Sequence, residues 1–141
     1  MRRIAVTTEI AAPVEVVWAQ LTGTSEFPTW NPFITSLEGT LTKGERLTVR
    51  IAPPDGKPMT FRPTVTAADE GRKLEWLGRV LMPGIFDGRH TFTLEPTATG
   101  TRLTQEETFT GILVPLTGGI MAKTKAGFQA MNEALKARAK S

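Results

Sequence analysis

Cysteine and tyrosine do not occur in this 141-residue chain, and His90 is its only histidine. Without cysteine there can be no disulfide, no thiolate nucleophile and no cysteine-ligated metal, a composition that suits a reducing compartment. A single imidazole excludes a multi-histidine zinc or iron site within one chain, so neither a metal nor a cofactor is expected. No apolar run approaches the roughly 20 residues of a membrane-spanning helix. Met1, Arg2 and Arg3 lead into a strand-like segment instead of a signal-peptide apolar region. The expected location is cytoplasmic, without stable membrane insertion. A glycine-rich phosphate loop, a nucleophile elbow and alternating strand–helix units are missing as well.

The residues present describe an ordinary folded chain: 40% are hydrophobic and 22% charged, and 141 residues can bury a sizeable core. One domain spanning 1–141 is expected. The net charge is +3, and it is unevenly placed. Residues 115 to 141 carry Lys123, Lys125, Lys136, Arg138 and Lys140 against Glu133 alone, a local excess of +4 that leaves −1 for the first 114 residues. This could mark an anionic partner or the solvated face of a helix whose late cations complement its dipole. No aromatic residues interleave as a stacking surface would require, so no nucleic-acid partner is expected. Monomer and homodimer both remain open.

Ile4, Val6, Thr8 and Ile10 alternate with more polar residues as in a half-buried strand. After Pro13, the positions Val14, Val17, Trp18 and Leu21 have the spacing of an apolar helix face. A second short turn or helix carries Glu26 and Phe27, and Trp30, Asn31, Pro32 and Phe33 form an aromatic corner. Strands are predicted over 34–39, 45–52, 59–68, 73–82, 86–96 and 101–111, with breaks at Gly39, Gly44, Pro53 to Gly56, Gly71, Pro83 and Gly84. Leu47, Val49 and Ile51, then Met59, Phe61 and Val65, then Leu74, Trp76, Val80 and Met82 recur at alternate positions, one apolar face per strand. Pro63 implies an edge or a bulge. Beyond Pro115 the period changes: Leu116, Ile120, Thr124, Phe128, Met131 and Leu135 advance by three or four, predicting a helix of roughly 20 residues. Gly118, Gly119 and Gly127 mark a loop before that helix or a close approach of its backbone to another surface.

The segments around His90 and Glu107 are predicted to fold into a hairpin about Ala98 and Thr99. That register sets His90 opposite Glu107, Phe92 opposite Gln105 and Leu94 opposite Leu103 on one face, with Glu95 opposite Arg102 on the other. A mostly apolar face thus holds an imidazole, an amide and a carboxyl, groups that need a partner or a ligand when covered. A carboxylate beside an imidazole favours the imidazolium and orients its ring, which suits proton transfer; the same pair could equally brace a wall. Asp87 and Arg89 are expected to face solvent.

The run Ile10 to Trp18, the corner Trp30 to Phe33, the triplet Leu74, Glu75, Trp76, and the stretch from Phe86 through His90 and Phe92 to Glu107, Phe109 and Gly111 resemble, in order and spacing, the START-like helix-grip superfamily. The likeness is to its SRPBCC or polyketide cyclase/dehydrase branch, and it spans nearly the whole chain. It implies an α+β fold in which a curved antiparallel sheet of about seven strands wraps around a long C-terminal helix, with two short helices after the first strand. It also implies an elongated apolar cavity between sheet and helix, in a family that binds lipids, sterols or polyketides and in some members cyclises or dehydrates them. Trp30, Phe33, Trp76, Phe92, Phe109, Phe128 and Met131 then become candidate wall residues, with His90, Gln105 and Glu107 at the polar end. Each apolar one could equally be plain core.

Three functions follow as expectations. The first is binding of a small hydrophobic or amphipathic molecule. The second is a cofactor-independent cyclase or dehydratase using His90 and Glu107, against which the absence of tyrosine removes one common general acid. The third is a protein-interaction module resembling the helix-grip domain of a chaperone activator, a likeness confined chiefly to the first strand and helix.

Overall fold

The computed structural model describes residues 1–80, 84, 86–111 and 118–140. Strand β1 (Arg2–Ile10) is followed by helix α1 (Val14–Thr22), a short 3-10 turn, and the one-turn helix α2 (Phe27–Trp30). Seven strands follow: β2 (Ile34–Glu38), β3 (Thr48–Ile51), β4 (Met59–Phe61), β5 (Thr64–Asp69), β6 (Lys73–Val80), β7 (Phe86–Thr97) and β8 (Gly100–Thr110). Helix α3 (Gly118–Lys140) ends the chain. Met82, Pro83, Pro115 and Leu116, which the sequence assigns to the strand over 73–82, its turn and the helix start, lie outside the described residues.

All strand pairs are antiparallel, in a five-stranded sheet ordered β1-β8-β7-β6-β5 and a three-stranded sheet ordered β2-β3-β4. The strand predicted over 59–68 is two strands in different sheets, because Pro63 has no N–H for a ladder. Its carbonyl instead accepts from Leu47 N at 2.8 Å, and Val65 N donates to Glu45 O at 2.9 Å, stitching the sheets together at the crossing. The strand predicted over 45–52 shortens to Thr48–Ile51 for the same reason, with Arg46 making only an isolated bridge to Thr64. The total is therefore eight strands rather than seven.

The β7–β8 hairpin has the predicted register, with Thr97 opposite Gly100 across the turn and His90 opposite Glu107. Glu95 does face Arg102, but the guanidinium turns to Glu9 on β1, at 3.1 and 3.2 Å. Helix α3 lies against β1, β8 and α1. Its buried stripe is Met121, Thr124, Phe128, Met131, Asn132 and Leu135. Gly127 is the close approach: a Cβ there would stand 2.2 Å from the Phe33 ring, which packs edge-on against Phe128 at 5.5 Å. Asn31 holds that corner by accepting from Phe33 N and Ile34 N at 3.0 and 2.9 Å. No helix among the described residues is long and apolar enough to cross a membrane.

Candidate functional site

Three transverse rows of residues set the site on the concave face of the larger sheet. One row runs Trp76, His90, Glu107, Ile4 across β6, β7, β8 and β1. On one side of it lies Leu74, Phe92, Gln105, Val6, and on the other Gly78, Gly88, Phe109, Arg2. Alternation in a strand sends all of these to one face. The two glycines leave the third row without side chains on β6 and β7, and the neighbouring carboxyl uses the space. A Cβ on Gly88 would stand 2.4 Å from Glu107 Oε2.

His90 is enclosed by rings, with Phe92 stacked at 4.8 Å, Phe128 at 4.9 Å and Trp76 at 5.1 Å. Its Nε2 lies 2.9 Å from Gln105 Oε1, and Gln105 Nε2 donates to Asn132 Oδ1 at 2.8 Å. Asn132 Nδ2 in turn donates to Val6 O at 3.2 Å and to Thr8 Oγ1 at 3.1 Å. A backbone carbonyl can only accept, so Val6 O fixes the direction of the whole chain. Asn132 must present its oxygen to Gln105, Gln105 must present its oxygen to His90, and His90 must carry its proton on Nε2. The lone pair of neutral His90 is then on Nδ1, facing Glu107.

Glu107 Oε1 is 3.7 Å from that Nδ1, beyond a normal hydrogen bond. Burial lowers His90 from 6.5 to about 4, against the raising effect of its bond to Gln105. Burial likewise raises Glu107, whose side chain is 17% exposed at the cavity, from 4.5 to about 8. The expected imidazolium beside a carboxylate is therefore replaced at neutral pH by a neutral imidazole beside a protonated carboxyl. Desolvation of both groups outweighs their attraction.

A cavity of about 70 Å³ opens where the glycine row stands. Its walls include Ile51, Met59 and Phe61 from the smaller sheet, Trp76 and Phe109 from the larger, and Ile120 and Thr124 from α3, with Glu107 as its acid. Met59 and Ile120 are 41% and 49% exposed. Of the predicted wall residues, Trp76, Phe109 and Glu107 line this cavity. Phe92, Phe128 and Met131 are fully buried core, and His90 and Gln105 form a second layer behind Glu107. Phe33 is core too. Trp30 packs edge-on against Phe27 at 5.3 Å beneath the Arg138 guanidinium at 5.7 Å, so both belong to the anchoring corner. The elongated cavity expected from the resemblance is here a small one, because the aromatic residues on β7 and α3 fill the middle of the concave face.

Asn132, Gly78, Gly88 and Thr124 were not singled out from the sequence as site residues. Asn132 carried a signal, a polar residue one turn beyond Phe128 on the apolar helix face; the two strand glycines also carried one, since glycine inside a strand marks a close approach. On the convex face Glu75 accepts from Thr66, Thr91 and Arg89 at 2.8, 2.8 and 2.9 Å. Burial alone would raise its pKa, but these donors and Lys73 bring it below the usual value. Arg89 is exposed as expected. Asp87 is not: its side chain is only 16% exposed, beside Arg79 and Gly84 N.

The family model for polyketide cyclase / dehydrase and lipid transport matches residues 1–140. No curated protein matches the chain. Among solved structures, protein MLL2253 from Mesorhizobium loti is 23% identical with a TM-score of 0.77, covering 99% of this chain and 97% of that one. TTHA0849 from Thermus thermophilus is 18% identical with a TM-score of 0.75 over 99% of this chain and 97% of its own. Ara h 8.0201 gives the same figures. At these identities the likeness is one of fold, and the observed fold is the helix-grip arrangement.

Proposed function

The chain belongs to the polyketide cyclase / dehydrase and lipid transport family, and we propose that it binds a small hydrophobic or amphipathic molecule in the cavity between the two sheets and α3. The observation that carries this reading is an apolar cavity holding one carboxyl, Glu107, that makes no hydrogen bond to any described residue. Such a group is costly to bury unless something meets it. A cavity of about 70 Å³ exceeds the roughly 10–15 Å³ needed for one water. It falls short of the roughly 300–1,000 Å³ of a drug-sized site. It is under half of the roughly 150 Å³ that holds benzene, so it takes a small head group or short chain, and the body of a larger molecule, a ring included, would extend past Met59 and Ile120. Native mass spectrometry of gently purified protein, with a thermal-shift screen of lipids and aromatic compounds, tests it. A bound mass or stabilisation by apolar compounds is expected, and the absence of both overturns the reading.

A second reading, an acid–base enzyme without cofactor, is favoured by one observation: Glu107 faces the cavity, where burial raises its affinity for a proton. Glu107 would be its catalytic residue and His90, one layer behind, a positioning residue. Once a substrate is found, unchanged turnover in Glu107→Gln removes it.

A further inference from the structure

The polar end of the cavity has one proton to give at most, that of Glu107, and is otherwise all acceptor. Thr124 spends its hydroxyl proton on Ile120 O at 2.8 Å, leaving only oxygen lone pairs. His90 spends its proton on Gln105, leaving the Nδ1 lone pair. Glu107 contributes two oxygens and at most one proton of its own. No lysine or arginine lines the cavity among the described residues, and the sequence of 81–83, 85 and 112–117 contains none. Around Glu107 stand Ile4 on β1, Trp76 on β6, His90 and Gly88 on β7, and Ile120 and Thr124 on α3, none of them cationic; the exposed Arg2 shares this face of β1 one row away, opposite Phe109, and does not line the cavity. A ligand carboxylate or phosphate would find one donor at most, the proton of Glu107 itself, and no cation to balance its charge.

A ligand that supplies both donors and positive charge would satisfy every one of these groups. The walls add to this, since Trp76 and Phe61 are among them and aromatic rings attract a cation once water is excluded. Resting on the reading of this cavity as a ligand site, we propose that it selects a small organic ammonium, a protonated amine on an aryl or short alkyl group, whose N–H donors pair with Glu107. The ammonium supplies the counter-charge that Glu107 lacks, so binding drives the carboxyl to ionise. Glu107–COOH plus R–NH3⁺ becomes Glu107–COO⁻ paired with R–NH3⁺, and the proton passes to solvent. A neutral donor of the same shape leaves that proton in place.

Benzylamine, benzyl alcohol and benzoate form a matched set of cation, neutral donor and anion on one ring. Calorimetric titration of each into the intact protein near neutral pH, in two buffers of different ionisation enthalpy, is the test. Benzylamine is expected to bind at least about tenfold more tightly than the other two and to release close to one proton. Glu107→Gln should weaken benzylamine by about tenfold and abolish the proton release. Benzyl alcohol or benzoate binding as tightly as benzylamine overturns the ammonium inference while the pocket reading stands. Binding of none of the three by wild-type protein overturns the ammonium inference, while the pocket reading is decided separately by native mass spectrometry and the lipid screen. The comparison of the three ligands on wild-type protein decides the matter even if the variant does not fold.

Discussion

The carboxyl of Glu107 occupies the space that a side chain on Gly88 would need, its Oε2 lying 2.4 Å from the position of a Cβ there. The glycine thus holds open both the berth of the acid and the floor of the cavity. In Gly88→Ala the obstructing atom is the far end of a side chain, so the carboxyl swings away rather than the sheet breaking. Replacing glycine in a strand also relieves an entropic cost of about 0.5–1 kcal/mol. The expected result is stability within about 1 kcal/mol of wild type by urea unfolding and at least about tenfold weaker ligand binding. Intact binding with a large loss of stability would show that Gly88 serves packing alone.

Stability should depend on pH through two buried groups with opposite slopes. His90 is depressed from 6.5 to about 4, so its contribution is complete above pH 6.5 and is lost as the unfolded chain takes up a proton below it. Glu107 is raised from 4.5 to about 8, so its contribution is complete below pH 4.5 and is lost as pH rises toward 8. Between 4.5 and 6.5 the two cancel. From 6.5 to about 8 the Glu107 slope stands alone, about 1.4 kcal/mol lost per pH unit. Urea midpoints across this range should be level and then fall, and Glu107→Gln should remove the fall. A midpoint that does not decline in wild type between pH 6.5 and 8 would contradict the burial of an unpaired carboxyl.

A lone histidine makes the hydrogen-bonded chain from Val6 to His90 directly readable, because its ring nitrogens give the only imidazole signals in a 15N spectrum. The Nε2–H tautomer should persist through neutral pH, with protonation delayed to about 4. Asn132→Leu strands the Gln105 amide without its acceptor inside the core. The expected cost is about 1–3 kcal/mol, together with a mixture of tautomers once Gln105 is free to turn. An unchanged Nε2–H signal in that variant would mean that Asn132 does not set the direction of the chain.

The hairpin register was legible because alternation and the opposite charges of Glu95 and Arg102 agree on one pairing, and a one-residue slip of the second strand would send Leu103 to the face opposite Phe92 and Leu94. The long helix was legible from its three-and-four spacing. The split at Pro63 was half legible: a missing N–H marks an interruption but does not say that the chain changes sheets there. The cavity was least legible. Trp76, Phe92, Phe109 and Phe128 share one apolar pattern, and which of them meet empty space depends on where α3 rests and on two glycines in adjacent strands becoming neighbours. The protonation of the site escapes the sequence for a related reason. Adjacency of His90 and Glu107 follows from register, whereas desolvation follows from the three rings and the helix that close over them.

Gly127 tests how closely α3 is held. Alanine is favoured over glycine inside a helix by about 1 kcal/mol, so on propensity alone Gly127→Ala should stabilise. Contact opposes this, because the new methyl would lie 2.2, 2.5 and 3.0 Å from three carbons of the Phe33 ring. That ring cannot retreat easily: it is 2% exposed, edge-on to Phe128, and its backbone N–H is tied to Asn31. Overpacking of this kind costs about 1–3 kcal/mol, and the steric effect should win, lowering the urea midpoint. Adding Phe33→Leu to Gly127→Ala should restore part of the loss, although Phe33→Leu alone destabilises by opening a void. Effects that simply add would show that Gly127 and Phe33 do not share the contact, and α3 would then be free to sit further from the sheet, with a larger cavity beneath it.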